Sequence, residues 1–352
     1  MNDPRHPTTR RPGRVATVIR MLIGGIAVAA ALPSVAHADA AGPSDYRSEI
    51  VSIEPAAVAD GAIDVSIEGG DSFVRIEVQP GHEALVLGYE TDPGPEPYLR
   101  IDADGRVFRN VLSYATYYNS DRYGRGDIPD IVDNAAEPEW EQVADGGSWA
   151  WHDHRAHYMG TTRPVGMEPG DAFAIDVVPL VVDGTPVTVE VRTVLQEDPS
   201  WWPALLGLLI GLQLVLVTAL AGPATTVMAA VVLSTAALVA GLAEYRSLPP
   251  ETGPLVTWWL LPAMALAAAV GTIAIYGRSI LLQRGLVALS GLVLALWAFR
   301  RRSGLTAAVL PTDLPFWLDR MITAGALAGG VALTALALRS LFTAPAPADA
   351  TS

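Results

Sequence analysis

The chain has no cysteine and no lysine, and its 23 basic residues are all arginine. Without cysteine, no disulfide can support an exported domain, and any metal site has to be built from imidazole, thioether and carboxylate groups. The missing lysine fits GC-rich coding and carries no mechanism. Histidine is scarce, with six in 352 residues, and none lies beyond His157. That speaks against histidine-ligated b-type haem in the C-terminal half. In residues 201 to 342 the carboxylates are Glu244, Glu251, Asp313 and Asp319, all at predicted helix ends or in loops. Proton-coupled transporters need ionisable groups at membrane depth, so that reading is disfavoured too. Positive charge is sparse in residues 39 to 200, where 31 Asp and Glu face 10 Arg, a net charge of −21. Phosphate binding requires Lys and Arg to release counterions, which excludes nucleic acid as a partner. An acidic surface attracts cations instead.

The N-terminus does carry positive charge, in Arg5, Arg10, Arg11, Arg14 and Arg20. An apolar stretch from 21 to 32 follows, then Pro33-Ser34-Val35-Ala36-His37-Ala38. A basic region, an apolar core and small residues at −3 and −1 make a secretory signal peptide over residues 1 to 38, cleaved after Ala38. Pro12 and Gly13 follow Arg10-Arg11 where twin-arginine export requires hydrophobic residues. Residues 39 to 200 are then an extracytoplasmic domain. After Pro199 the composition turns apolar, in runs over 201 to 220, 224 to 243, 255 to 275, 280 to 299 and 321 to 342. Each is close to the ~20 residues that span a bilayer, so residues 201 to 342 form a membrane domain of about five transmembrane helices. The Pro/Ala-rich tail, 343 to 352, is expected to be disordered. With the N-terminal domain outside, Arg300, Arg301, Arg302 and Arg320 fall outside, and Arg278, Arg284 and Arg339 fall at the inner side, against the positive-inside rule. Residues 310 to 318 are too short and polar to span, and their Phe316 and Trp317 suit the outer interface beneath the exported domain. Gly207-x-x-x-Gly211 and Gly325-x-x-x-Gly329 permit close helix approach, either within one chain or between copies in a homo-oligomer.

The exported domain has a period of two. Apolar and polar residues alternate over 62 to 68 and 73 to 78, with Gly69-Gly70 between them as a hairpin turn. Further strands are expected at 83 to 89, 98 to 101, 106 to 108, 172 to 182 and 186 to 195, the last two joined by Asp183-Gly184. The fold class is therefore an all-β, Ig-like β-sandwich followed by an all-α five-helix transmembrane bundle. Between Tyr114 and Glu139 the alternation dissolves, which predicts a long ordered loop packed over the sandwich.

Chemistry concentrates in Trp149-Ala150-Trp151-His152-Asp153-His154-Arg155-Ala156-His157-Tyr158-Met159. His152, His154, His157 and Met159 are the candidate metal ligands, a set suited to copper or, through the histidines with carboxylates, to zinc. On a strand His152 and His154 share one face, and on a helix His154 and His157 do, so a remote ligand such as His82 would have to complete the site. The same residues also fit a structural knot, with Trp149, Trp151 and Tyr158 packed together, Asp153 paired with Arg155, and the histidines bonded to carbonyls. A third reading is an enzyme using the cluster for acid–base chemistry, although no Gly-x-Ser-x-Gly elbow accompanies it. Trp151-His152-Asp153-His154-Arg155-x-His157, with Glu96-Pro97-Tyr98-Leu99-Arg100 upstream and Asp183-Gly184-x-Pro186-Val187 downstream, resembles an uncharacterised family of actinobacterial secreted, membrane-anchored proteins. That resemblance implies the architecture and assigns no residue a role. In architecture alone the chain is also similar to CopC-type and YcnI-type copper proteins, but Asp39-Ala40-Ala41 stands where those place an N-terminal histidine. The expectation is a non-enzymatic, membrane-anchored binding or interaction protein of the cell envelope, with the bilayer and an envelope protein as partners. Copper or zinc handling is the first alternative, and an enzyme the second. Tyr114, Tyr117, Tyr118 and Tyr123 are candidates for an exposed recognition patch.

Overall fold

A computed structural model describes residues 41 to 90, 94 to 160 and 162 to 342. The signal peptide at 1 to 38 and the tail at 343 to 352 lie outside the described residues. Ten strands among those described form two antiparallel sheets. The larger has the order β1 (Tyr46–Glu54), β10 (Thr185–Leu195), β9 (Asp176–Val182), β4 (Ala84–Leu87), β5 (Pro97–Ile101), β6 (Val107–Asn110), β7 (Trp140–Ala144). The smaller has the order β2 (Ile63–Glu68), β3 (Phe73–Val78), β8 (Ser148–Trp151). Two short helices, α1 (Ala56–Ala59) and α2 (Tyr114–Tyr118), interrupt the strands.

Alternation sets the inner faces. On β10, Val187, Val189, Val191 and Leu195 are buried while Thr188 and Arg192 are exposed, as the pleat requires. These valines meet Val74 and Ile76 of β3 and Val86, Ile101 and Val107 of the large sheet in one core. Asp183 and Gly184 both hold positive φ, 48° and 76°, as a two-residue hairpin turn demands. The expected loop between Tyr114 and Glu139 is irregular apart from α2 and is tied down by Tyr114 N–H to Asn134 Oδ1, Asp133 N–H to Leu112 O, and Val111 N–H to Glu139 O.

Five long apolar helices follow: α3 (Trp202–Ala221), α4 (Pro223–Arg246), α5 (Thr257–Ala274), α6 (Ile280–Arg300) and α7 (Phe316–Phe342). α7 packs against α3, α4 and α6. The glycine pairs are spent inside the chain: a Cβ on Gly207 would fall against Met321 O, and one on Gly211 against Gly325 O. α5 contains Pro262, which has no N–H for the Trp258 carbonyl four residues before it. The Trp297 indole of α6 donates to that carbonyl instead, at 2.7 Å, so this acceptor is not stranded among apolar helices.

The fifth helix begins five residues before the expected apolar run at 321, because α7 starts at Phe316. Asp319 pairs with Arg301 at 2.9 Å, Arg301 also reaches Glu244 at 2.6 Å, and Arg320 donates to the carbonyls of Gly304, Ala307 and Ala308. Two of the arginines that conflicted with the positive-inside rule, Arg320 buried and Arg301 partly buried, are thus partners in the fold.

The β-domain sits on the bundle end that carries the α4–α5 and α6–α7 connections. Ser44 and Val309 exchange backbone hydrogen bonds of 3.0 and 2.8 Å, and Ala308 N–H donates to Asp45 Oδ1 at 3.1 Å. Ser247 Oγ donates to Pro311 O at 2.9 Å. Leu248 is buried with Ala41, Phe73 and Ala150, so strand and helix-connection side chains share a small apolar cluster.

Candidate functional site

The histidine segment begins where β8 ends, at the Trp151 to Val74 pairing, and runs from the small sheet to the large one. His152 is buried, stacks on Phe73 at 4.2 Å and turns Nδ1 to the Ser72 carbonyl at 2.6 Å. Four residues later Ala156 O accepts from Ser48 Oγ of β1, whose hydroxyl also lies 2.8 Å from that of Thr193 on β10. The segment is therefore a strut across the sandwich.

Asp153 is its pivot. The buried carboxylate accepts from Trp151 Nε1 at 2.9 Å, from Arg155 N–H at 3.1 Å, and from Arg155 Nε and Nη2 at 2.8 Å each. Burial works against its charge, but the Arg155 guanidinium and these donors outweigh it and hold the carboxyl below the usual carboxylate range. Arg155 in turn donates to the carbonyls of Gly88 and Leu87 and lies over the Tyr89 ring at 4.7 Å. The sequence expectation of an Asp153–Arg155 pair stands, with the addition that it locks residues 87 to 89.

His154 and His157 hold the long loop. His154 N–H donates to Tyr89 Oη, which itself donates to Asn119 Oδ1, and His154 Nε2 meets Asp121 O at 2.9 Å. Burial lowers the His154 pKa. His157 places Nδ1 3.0 Å from Asp153 O and Nε2 2.7 Å from Arg122 O. Two acceptors would suit an imidazolium, yet burial and then the Arg122 guanidinium oppose charge and push its pKa down to about 3. Burial therefore favours the neutral ring, in which only one of the two nitrogens donates.

The structure brings His152, His154 and His157 together, with ring centroids 5.3 Å (154 to 157) and 6.2 Å (152 to 157) apart, but each is directed at backbone carbonyls. Among the described residues no group of three or more His, Asp or Glu is arranged to hold a metal ion. Met159 is half-buried at the end of the segment. His82, considered as a remote ligand, is bonded to Asp183 Oδ2 at 2.6 Å on the β9–β10 turn. His154 Nδ1 is the one buried nitrogen of the cluster without a hydrogen-bond partner.

The tyrosines expected as an exposed patch are corrected. Tyr114, Tyr117, Tyr118 and Tyr123 are half-buried, and Tyr118 stacks on Tyr114 at 5.0 Å and meets His154 edge-on at 4.2 Å. What the loop exposes is Ile128 (38 %) and Ile131 (56 %), between the exposed carboxylates Asp127, Asp130, Asp133, Glu137 and Glu139.

Sequence reasoning missed two buried acids that brace this region. Glu96 accepts from Ser113 Oγ and Ala115 N–H and so anchors the start of α2. Asp71 pairs with Arg122 at 2.6 Å and accepts from Ser44 Oγ, and burial still raises its pKa. Neither announces itself in one sequence, because Glu96 lies in a Pro/Gly-rich stretch and Asp71 in a hairpin turn.

No protein-family model, curated protein or solved structure matches the chain.

Proposed function

We propose that this chain is a membrane-anchored, extracytoplasmic binding protein of the cell envelope, and that it engages a basic protein partner through the loop at 127 to 139. The carrying observation is an ordered, hydrogen-bonded loop that exposes two isoleucines among exposed carboxylates along its length. Apolar anchors in a charged rim are the usual anatomy of a recognition patch, and the negative charge selects and steers a positive partner. Ordering the loop beforehand lowers the entropy cost of binding. The saturated chemistry of the histidine segment supports a non-enzymatic reading: Asp153, Arg155 and His157 are each occupied in holding backbone. Placement outside the cytoplasm rests on the signal-like residues 1 to 38.

The test uses a photo-crosslinking residue at position 131 of the full chain in its native membrane. A discrete adduct that disappears in Asp127→Asn/Asp130→Asn/Asp133→Asn supports the reading, and its absence overturns it. A second reading, copper or zinc handling through His152, His154, His157 and Met159, is favoured by the unpartnered His154 Nδ1. It requires the histidines to leave their carbonyls, so stoichiometric Cu(I), Cu(II) or Zn(II) binding lost in the triple His→Ala variant would support it.

A further inference from the structure

A large cavity lies at the end of the bundle opposite the β-domain. The α3–α4 and α5–α6 connections and the last turns of α7 enclose about 580 Å3, within the ~300–1,000 Å3 of small-molecule pockets. Val227, Val287 and Leu336 make its walls apolar, and Arg278, Gln283 and Arg284 stand at its polar edge. Gln283 and Arg284 donate to the carbonyls of Ile275 and Ser340, which fixes them against the wall. Arg278 is exposed and joins no ion pair or side-chain hydrogen bond among the described residues.

Charge is segregated along the bundle. Glu244 and Asp319 pair with Arg301 at the β-domain end, and Asp313 and Glu251 sit in the connections there. At the cavity end the described residues carry Arg278, Arg284 and Arg339 and no carboxylate. Helices α4 and α6 begin there, at Pro223 and Ile280, and α3, α5 and α7 end there, so the helix dipoles add no net positive charge and the arginines alone set the sign.

An apolar chamber alone gives no preference in a bilayer, since lipid tails are as apolar as leucine. Any selectivity has to come from the headgroup, and at that level the described residues carry arginine and no carboxylate. We propose that this cavity binds an anionic phospholipid of the adjoining leaflet, with acyl chain against Val227, Val287 and Leu336 and phosphate at Arg278 and Arg284. Basic pockets between transmembrane helices take anionic headgroups by this same chemistry. The site is independent of the recognition loop and of which side of the membrane the β-domain occupies.

The test is retention of phosphatidylglycerol against phosphatidylcholine by the full chain in detergent, read by native mass spectrometry. Phosphatidylglycerol is expected to be retained preferentially as one copy, and each arginine removed is expected to weaken it about fivefold. Arg278→Gln perturbs nothing folded, because the side chain is exposed and unpaired, and it keeps the test open if Arg278→Gln/Arg284→Gln fails to fold. Ala219→Trp should abolish retention by filling the chamber while leaving both arginines in place. Equal retention of the two lipids, indifference to Arg278→Gln and Ala219→Trp, or full displacement by inorganic phosphate alone would overturn the proposal.

Discussion

Replacing Asp153 by Asn is the sharpest probe of the strut. The substitution keeps the shape and can still accept from either Trp151 Nε1 or the Arg155 N–H, which bond different oxygens of Asp153, but it leaves the Arg155 guanidinium, only 14 % exposed, without its counter-charge. Breaking a buried pair from one side costs about 3–5 kcal/mol. For a domain of this size each kcal/mol moves the melting temperature by about 2–4 °C, so a fall of about 6–20 °C is expected. The assay is heat-induced loss of protease resistance of the β-domain in the full-length, detergent-solubilised protein. Adding Arg155→Met to the same chain should cost about 0.5–3 kcal/mol less than the sum of the two single changes, because the interaction can be lost only once. Acid supplies the sign. The folded Asp153 carboxyl lies below its unfolded value, so its stabilisation is present above the unfolded pKa and is lost as pH falls through the folded one. The gap between wild type and Asp153→Asn should be constant near neutrality and close below about pH 4. A loss under ~1 kcal/mol, additive single changes, or a gap that ignores acid would refute the reasoning.

His157 makes the opposite half of the same acid profile. Its folded pKa of about 3 lies below an unfolded value of about 6.5, so the unfolded chain binds the extra proton and stability falls with pH between those values, by about 1.4 kcal/mol per unit. His157→Gln should flatten the melting profile between pH 7 and pH 5, and an unchanged slope would show the ring to be charged in the fold. In the bundle, Gly211→Val drives a side chain into the Gly325 carbonyl, and overpacking of this kind costs about 1–3 kcal/mol or more. Detergent resistance of the whole chain should drop, whereas Leu212→Ala on the exposed face should leave it unchanged.

Architecture was legible because two different periods were written into the two halves. β2, β3 and β10 alternate cleanly, and their expected limits fall within a residue or two of those observed. β1 was not legible: a bulge between Ile50 and Ser52 breaks its alternation. β7 was not either, since exposed Glu141 and Gln142 stand next to each other and Val143 and Ala144 both pack on the core, so this edge strand does not alternate. The β9 region was overextended at its start, where Ala172 makes only an isolated bridge to Val194 before the strand begins at Asp176. For the candidate site, the sequence announced the cluster of histidines but not their acceptors. Ser72, Asp121 and Arg122 contribute backbone carbonyls, and a carbonyl's position is set by the fold and not by the identity of the residue that carries it. The recognition tyrosines misled for a related reason: an aromatic in a polar loop looks exposed until a second aromatic covers it.

The exchange of hydrogen bonds between Ser44 and Val309 imposes an order on biogenesis. Asp45 receives Ala308 N–H across 263 residues of sequence, so the seat of the first strand is made by a segment synthesised long after it. Strand pairing within the sandwich can proceed as soon as its residues are available, but its underside stays open until α6 and α7 have entered the bilayer and brought their connection back beneath it. Closing so long a loop is an entropic cost met only by a completed bundle. A chain that stalls before residue 308 leaves Ser44 and Asp45 without the backbone partners that Val309 and Ala308 supply.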